Sequence, residues 1–288
     1  MREPPAPRPI VVGADGSRPA LQAALWAVDE AVSRDVPLRL LCAVDSTDEH
    51  GDAEWAARKL ATPEIAAQNA VMAVEATRKP VKIEVEIVQD RPIGALIRAS
   101  RPAAMICLGA VGFHHFQPGR VGSTAAAVAA SAHCPVAIIR GNDHAPNRRE
   151  QGWIVVEVDN SPHTGVLLQA AIDEARLRNA PLRVITCWHC EASDIRTGRR
   201  VADANHRVEA ELDRRLTQWT RHYPDVDVQT AAIHGSIVDY LTDNASSVQL
   251  IVVGAHDRRT VQQLVGPTGN AALHRSDCSV LIVDHQHL

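Results

Sequence analysis

Ile10-Val-Val-Gly-Ala-Asp15-Gly-Ser17 is echoed by Ile154-Val-Val-Glu-Val-Asp159-Asn-Ser161, an offset of 144 in a chain of 288 residues. A duplication constrains the fold more than any local pattern, because one architecture must serve both halves. The offset holds along the chain. Ala-Val-Asp29-Glu30-Ala31 matches Ala-Ile-Asp173-Glu174-Ala175, Pro37-Leu38-Arg39 matches Pro181-Leu182-Arg183, and near the ends Cys134-Pro-Val136 faces Cys278-Ser-Val280. Two homologous units are expected, 1–141 and 153–288. The stretch 142–152 between them is polar, with Pro146, Arg148 and Arg149, a composition that suits an exposed linker.

Within each unit, short runs of Val, Ile and Leu alternate with longer Ala-rich segments of helical period, the pattern of parallel strands covered by helices. Strands are expected at Pro9–Ala14, Leu38–Val44, Val81–Val88, Ala103–Gly109 and Val136–Arg140, then at Trp153–Val158, Leu182–Trp188, Val226–Ile233, Leu250–Gly254 and Val280–Val283. The fold class that follows is α/β: two tandem Rossmann-like units, each an open five-stranded parallel sheet with helices on both faces. With five Trp, two Tyr and two Phe, the core must be built from Ala, Val, Leu and Ile. Right-handed crossovers put a ligand crevice at the carboxyl ends of the strands, at Ala14–Ser17, Ala43–Asp45 and from Gly109 onward.

Composition narrows the chemistry. A net charge of −4 with interspersed signs offers no footprint for nucleic acid or an anionic membrane. The longest uncharged run, Val121–Ile139, contains Gly122, Ser123, Ser131, His133 and Pro135, and makes a poor membrane span. The first nine residues hold no apolar stretch of secretory length, so a cytoplasmic protein with six reduced cysteines is expected. The only lysines are Lys59, Lys79 and Lys82, and no Gly-x-x-x-x-Gly-Lys run exists for a P-loop.

After the fourth strand the first half reads Gly109-Ala-Val-Gly112, nine residues, then Gly122-Ser123-Thr124 opening an alanine-rich helix. Glycines let backbone approach an anion, and a helix start offers free amides and the positive end of the helix dipole. On physical grounds alone a phosphate cradle and an ordinary glycine turn with an N-cap at Ser123 or Thr124 remain equally open. Asp15 is open in the same way, as a ligand group or a cap of the first helix.

Gly-x2-Gly-x9-Gly-Ser after a strand, with an aspartate ending the first strand, resembles the ATP-binding subgroup of the universal stress protein family. The likeness covers both halves and is similar to the tandem-domain members of actinobacteria. The resemblance implies that Asp15 and the backbone of Ala43 hold adenine, that Leu108 and Gly109 meet the ribose, and that Gly112, Gly122, Ser123 and Thr124 cradle the phosphates. The cofactor it implies is ATP, with or without Mg2+. It also implies that the fifth strands pair, within the chain or in a homodimer, which would cover an otherwise exposed edge.

The second half departs from this pattern. Asp159 and Ser161 are kept, but the loop reads Gly254-Ala-His-Asp257, eight residues, then Gly266-Pro267-Thr268. A carboxylate replaces the second glycine and proline removes an amide donor, both opposed to phosphate. Arg258, Arg259 and Thr268 could offset the loss. The expectation is that the first half holds ATP, while Asp159, Gly254 and Gly266 form at most a weak second site.

Other signals fall away. Cys187-Trp-His189-Cys190 has a redox or half-zinc spacing, but it ends a strand at the family's adenine position and lacks further ligands. His114-His115 lies in the glycine loop, where it could touch phosphate, but fits a solvated loop pair better. No Gly-x-Ser-x-Gly or Gly-x-Gly-x-x-Gly occurs, so a hydrolase elbow and a dinucleotide fingerprint are missing. With Asp15 committed to the nucleoside, no base remains to activate water. The expected role is a nucleotide-dependent stress-response regulator and not an enzyme, with a slow ATPase or nucleotidyl-transfer enzyme, or a nucleotide-free scaffold, as the alternatives.

Overall fold

A computed structural model describes residues 7–44, 53–111, 121–141, 152–159, 161–189, 198–244, 247–266, 269, 272–273 and 278–283, with backbone alone for 53–62 and 198–201. The chain divides between Gly141 and Asn142 into two compact units.

Unit 1 runs β1 (Ile10–Gly13), α1 (Arg18–Ser33), β2 (Leu38–Val44), α2 (Ala53–Ala76), β3 (Ile83–Gln89), α3 (Pro92–Ser100), β4 (Met105–Gly109), α4 (Ser123–Ser131) and β5 (Val136–Ile139). Its strands are parallel in the order β3-β2-β1-β4-β5. Unit 2 runs β6 (Trp153–Glu157), α5 (Thr164–Leu177), β7 (Leu182–Trp188), α6 (Gly198–His222), β8 (Val228–His234), α7 (Ile237–Asp243), β9 (Val248–Gly254), α8 (Arg258–Val265) and β10 (Ser279–Val283). Its order, β8-β7-β6-β9-β10, repeats that of unit 1. The expected α/β class therefore holds in each half. Strand order reverses beside β1 and beside β6, which opens a crevice at the carboxyl end of each sheet.

The central strands are apolar on both faces, as parallel strands between helices must be. Ile10, Leu38, Leu40, Met105, Ile106 and Ile138 are fully buried in unit 1, and Ile154, Ile172, Leu182, Ile185 and Ile237 in unit 2. Helix α1 meets the sheet through Ala20, Ala23, Ala24, Ala27, Val28 and Ala31, whose small side chains bring the helix close to β1 and β4. One buried carboxylate recurs in both halves. Glu30 takes a hydrogen bond from Arg34 Nη2 at 3.0 Å, and its counterpart Glu174 takes one from Arg178 Nε at 2.8 Å.

Register refines the repeat. The offset is 144 at β1/β6, β2/β7 and β5/β10, but Ile83 corresponds to Val228 and Met105 to Leu250, an offset of 145. One residue is inserted before β8, and the eight-residue spacer after β9 removes it again. Among the described residues no helix is long and apolar enough to cross a membrane.

Candidate functional site

In unit 1 the chain leaves β1 through Ala14 and Asp15 and turns at Gly16, whose φ of +79° is open to glycine at little strain. Asp15 is exposed, and its Oδ1 accepts the Ser17 amide at 2.9 Å. Ser17 is the N-cap of α1, its Oγ accepting the Ala20 amide at 3.2 Å. Asp15 is thus braced beside the helix start without being its cap. Ala43, half-buried on β2, lies two residues past Leu41, the register partner of Gly13, so Gly13 and Ala43 share one face of the sheet. The thiol of Cys42, on the opposite face, is pushed up to about 11 by burial and by the Asp15 charge.

Leu108 is buried at the end of β4, and Gly109 follows it against α1. A Cβ at Gly109 would lie 2.6 Å from the Pro19 carbonyl carbon and 2.8 Å from the Ala20 nitrogen, so only glycine lets β4 end this close to the helix. Gly112 lies outside the described residues, as do His114, His115 and Asp45. The chain returns at Gly122, whose amide donates to Ala110 O at 2.7 Å and anchors the start of α4 beside the end of β4. Gly122 is itself the N-cap, and among the described residues no side chain caps this helix. Neither Ser123 nor Thr124 takes the capping position that the sequence left open. Ser123 is exposed and Thr124 half-buried at the head of a nine-residue helix, whose first amides have no intrahelical acceptor. The Gly122 amide is spent on Ala110, so it frames the cradle without serving as a donor to a ligand.

Unit 2 begins alike. Asp159 Oδ1 accepts the Ser161 amide at 2.9 Å, the geometry of Asp15 and Ser17. Asp159 is also engaged by its surroundings: Thr164 Oγ1 and Arg215 Nη2 each donate to its carbonyl at 2.8 Å, and His256 Nε2 stands 3.9 Å from Oδ2. Burial pushes its carboxyl up, but the Ser161 hydroxyl and amide and the His256 ring outweigh it and hold the carboxyl below its ordinary value.

The loop after β9 corrects the sequence reading. Asp257 does not stand as a bare charge in an open cradle. It is the N-cap of α8, its Oδ1 accepting the Thr260 amide at 3.0 Å. The whole eight-residue spacer is helix, and Gly266 is its C-cap, with its amide donated to Gln262 O at 2.9 Å. Gly266 therefore ends one helix where Gly122 begins another. Gly254 faces the His256 ring, which lies 2.3 Å from where a Cβ would be and packs on His163. Arg258 and Arg259 are exposed on the first turn of α8. Pro267, Thr268 and Cys190 lie outside the described residues.

Sequence reasoning missed α8, although an aspartate N-cap followed by apolar Val261 and Leu264 was a legible start signal. It also missed Glu157, which replaces Gly13. Thr260 Oγ1 lies 3.4 Å from Glu157 Oε2, and the Cys187 thiol stands near enough to favour the charged form of the same carboxyl. Burial pushes the Glu157 carboxyl up against those bonds, with Asp257 and Asp159 adding repulsion. Burial and the Glu157 charge raise the Cys187 thiol further, opposite to what a redox cysteine requires. Among the described residues no group of three or more His, Cys, Asp or Glu side chains could hold a metal.

Comparison with known proteins agrees with this architecture. The universal stress protein family matches residues 7–140 and again 153–284. A universal stress protein of Mycobacterium tuberculosis is 53% identical over 100% of both chains. The crystal structure of a universal stress protein from Archaeoglobus fulgidus shares the fold at 17% identity, covering 96% of each chain with a TM-score of 0.69. A smaller universal stress protein solved in complex with cAMP covers 48% of this chain and 99% of its own, at 23% identity and a TM-score of 0.39. With a copy of the domain in each half and the same strand order in both, this chain belongs to the universal stress protein family.

Proposed function

We propose that unit 1 binds ATP and that the chain acts as a nucleotide-dependent regulator of a stress response and not as a dedicated enzyme. One observation carries the reading: the start of α4, which no described side chain caps, lies beside the end of β4, where Gly109 brings backbone against backbone. First-turn amides without an intrahelical acceptor and the helix dipole there favour the phosphate end of a ligand. At the nucleoside end, the exposed carboxylate of Asp15 offers acceptors for an amine or hydroxyl, and the half-buried Ala43 backbone lies on the adjacent strand. The residues therefore fit a nucleotide without a P-loop lysine. Leu108, Gly109, Ser123 and Thr124 complete the lining, and Mg2+ would be carried by the phosphates.

Protein purified without added nucleotide and analysed by mass spectrometry, then titrated calorimetrically with ATP, tests this. Asp15→Ala removes a charged hydrogen-bonding group worth roughly 1.5–3 kcal/mol, so ATP should bind about 10- to 100-fold more weakly. Failure of the native chain to bind adenine nucleotide at all would overturn the proposal.

A further inference from the structure

Three positions around the crevice carry glycine in unit 1 and a carboxylate in unit 2. By strand register and motif order, Gly13 becomes Glu157, Gly94 becomes Asp239 and Gly112 becomes Asp257. Asp257 and Asp239 have local duties, capping α8 and completing a capping box with Ser236. Glu157 has none in its own strand. Its carboxylate reaches between the end of β7, where Cys187 stands in the place of Ala43, and the first turn of α8, where Thr260 is buried.

We propose that Glu157 is the plug that closes the second crevice, and that the residue at positions 13 and 157 decides which unit accepts a nucleotide. The inference rests on the ATP reading of unit 1 and names its selector. Gly13 lies between Ala43 and Leu108, the residues placed at adenine and ribose, so a side chain there enters the ligand's volume. The neighbouring strand shows that the replacement is built in. A Cβ at Gly13 would meet Leu108 Cδ2 at 2.7 Å, and the residue equivalent to Leu108 is Val253, one carbon shorter. The shorter side chain removes the atom that would collide with Glu157. Volume and negative charge then act together against a polyanionic ligand, with Asp239 and Asp257 near enough to raise the Cys187 thiol alongside Glu157.

Calorimetric titration of the full chain with ATP reads the stoichiometry. One ATP per native chain is expected. The variant G13E/L108V, which copies the Glu157 and Val253 pair into unit 1, should bind at least a hundredfold more weakly, while its far-UV circular dichroism matches that of the native chain. Photo-crosslinking of native protein with 8-azido-ATP gives a second readout independent of how the variant folds, and labelled peptides should come from unit 1 alone. Two ATP per native chain, labelling within 153–188, or a folded G13E/L108V that keeps its affinity would each overturn the selector and leave ATP binding by unit 1 standing. No binding by the native chain overturns the ATP reading itself, and the selector with it.

Discussion

Gly109 and Gly254 occupy equivalent strand ends, yet substitution by alanine should have unequal effects. At Gly109 the added Cβ would meet backbone, at 2.6 Å from the Pro19 carbonyl carbon and 2.8 Å from the Ala20 nitrogen, where ordinary contact begins at 3.4 Å. The first turn of α1 must retreat by most of an ångström, although Ala20, Ala23, Ala24 and Ala27 pack it tightly against the sheet. Overpacking of this kind costs about 1–3 kcal/mol. At about 2–4 °C per kcal/mol, the unfolding transition of unit 1 should fall by roughly 2–12 °C. At Gly254 the obstacle is the His256 ring, a side chain that can swing aside at the expense of its contacts with Ser161, His163 and Asp159, the last a partly exposed pair worth about 0–1 kcal/mol. Differential scanning calorimetry of Gly109→Ala and Gly254→Ala, with each transition assigned by proteolysis, makes the comparison. Equal losses, or a Gly109→Ala chain that melts with the native one, would refute the close-approach argument.

Two further perturbations test the strand ends. Ser17→Ala deletes the hydroxyl that accepts the Ala20 amide and should cost about 1 kcal/mol. Ser161→Ala should cost less, because α5 starts at Thr164 with His163 as an N-cap that makes no side-chain bond; urea titrations would show the difference, and equal costs would contradict it. Glu157→Gln tests the buried carboxyl through pH. Because burial raises its pKa above the ordinary 4.5, the folded chain holds this proton more tightly than the unfolded chain. Its contribution is therefore greatest below 4.5 and declines as pH rises from there through the raised value. The variant should gain stability relative to native protein between pH 4 and pH 7, and a relative loss across that range would exclude the assignment.

Much of this architecture was legible in the residues. The repeat, the alternation of strands and Ala-rich helices, and the strand ends at Asp15, Gly109 and Gly254 could be read directly, and β2 and β7 start and stop where expected. Strands β3 and β8 begin two residues later than expected and end one residue later, because pairing with the neighbour sets their limits. The crevice of unit 2 was less legible for two reasons. Seeing Asp257 as a substituted glycine hid its fitness as a helix cap, and the eight-residue helix behind it carries only Val261, Leu264 and Val265 as apolar residues. Glu157 was visible as a mismatch within the repeat, but its meaning depends on Val253. Matching Gly109 to Gly254 already aligns Leu108 with Val253, but that Val253 stands beside Glu157 follows only from the strand register. Partnership across strands is set by tertiary pairing, which a one-residue insertion shifts silently.

The buried glutamates Glu30 and Glu174 show what such partnerships do over the history of a duplicated chain. Each sits buried inside a helix with an arginine one turn later, so it is the carboxylate, more than the arginine, that a dry setting holds to its partner. Both halves carry the same pair at the 144-residue offset. At the crevice, glycine and leucine in one half stand where glutamate and valine stand in the other, one shape against a complementary one. Divergence was open where no buried charge depended on the outcome, so the scaffold stayed duplicate while one of its two mouths was free to become something else.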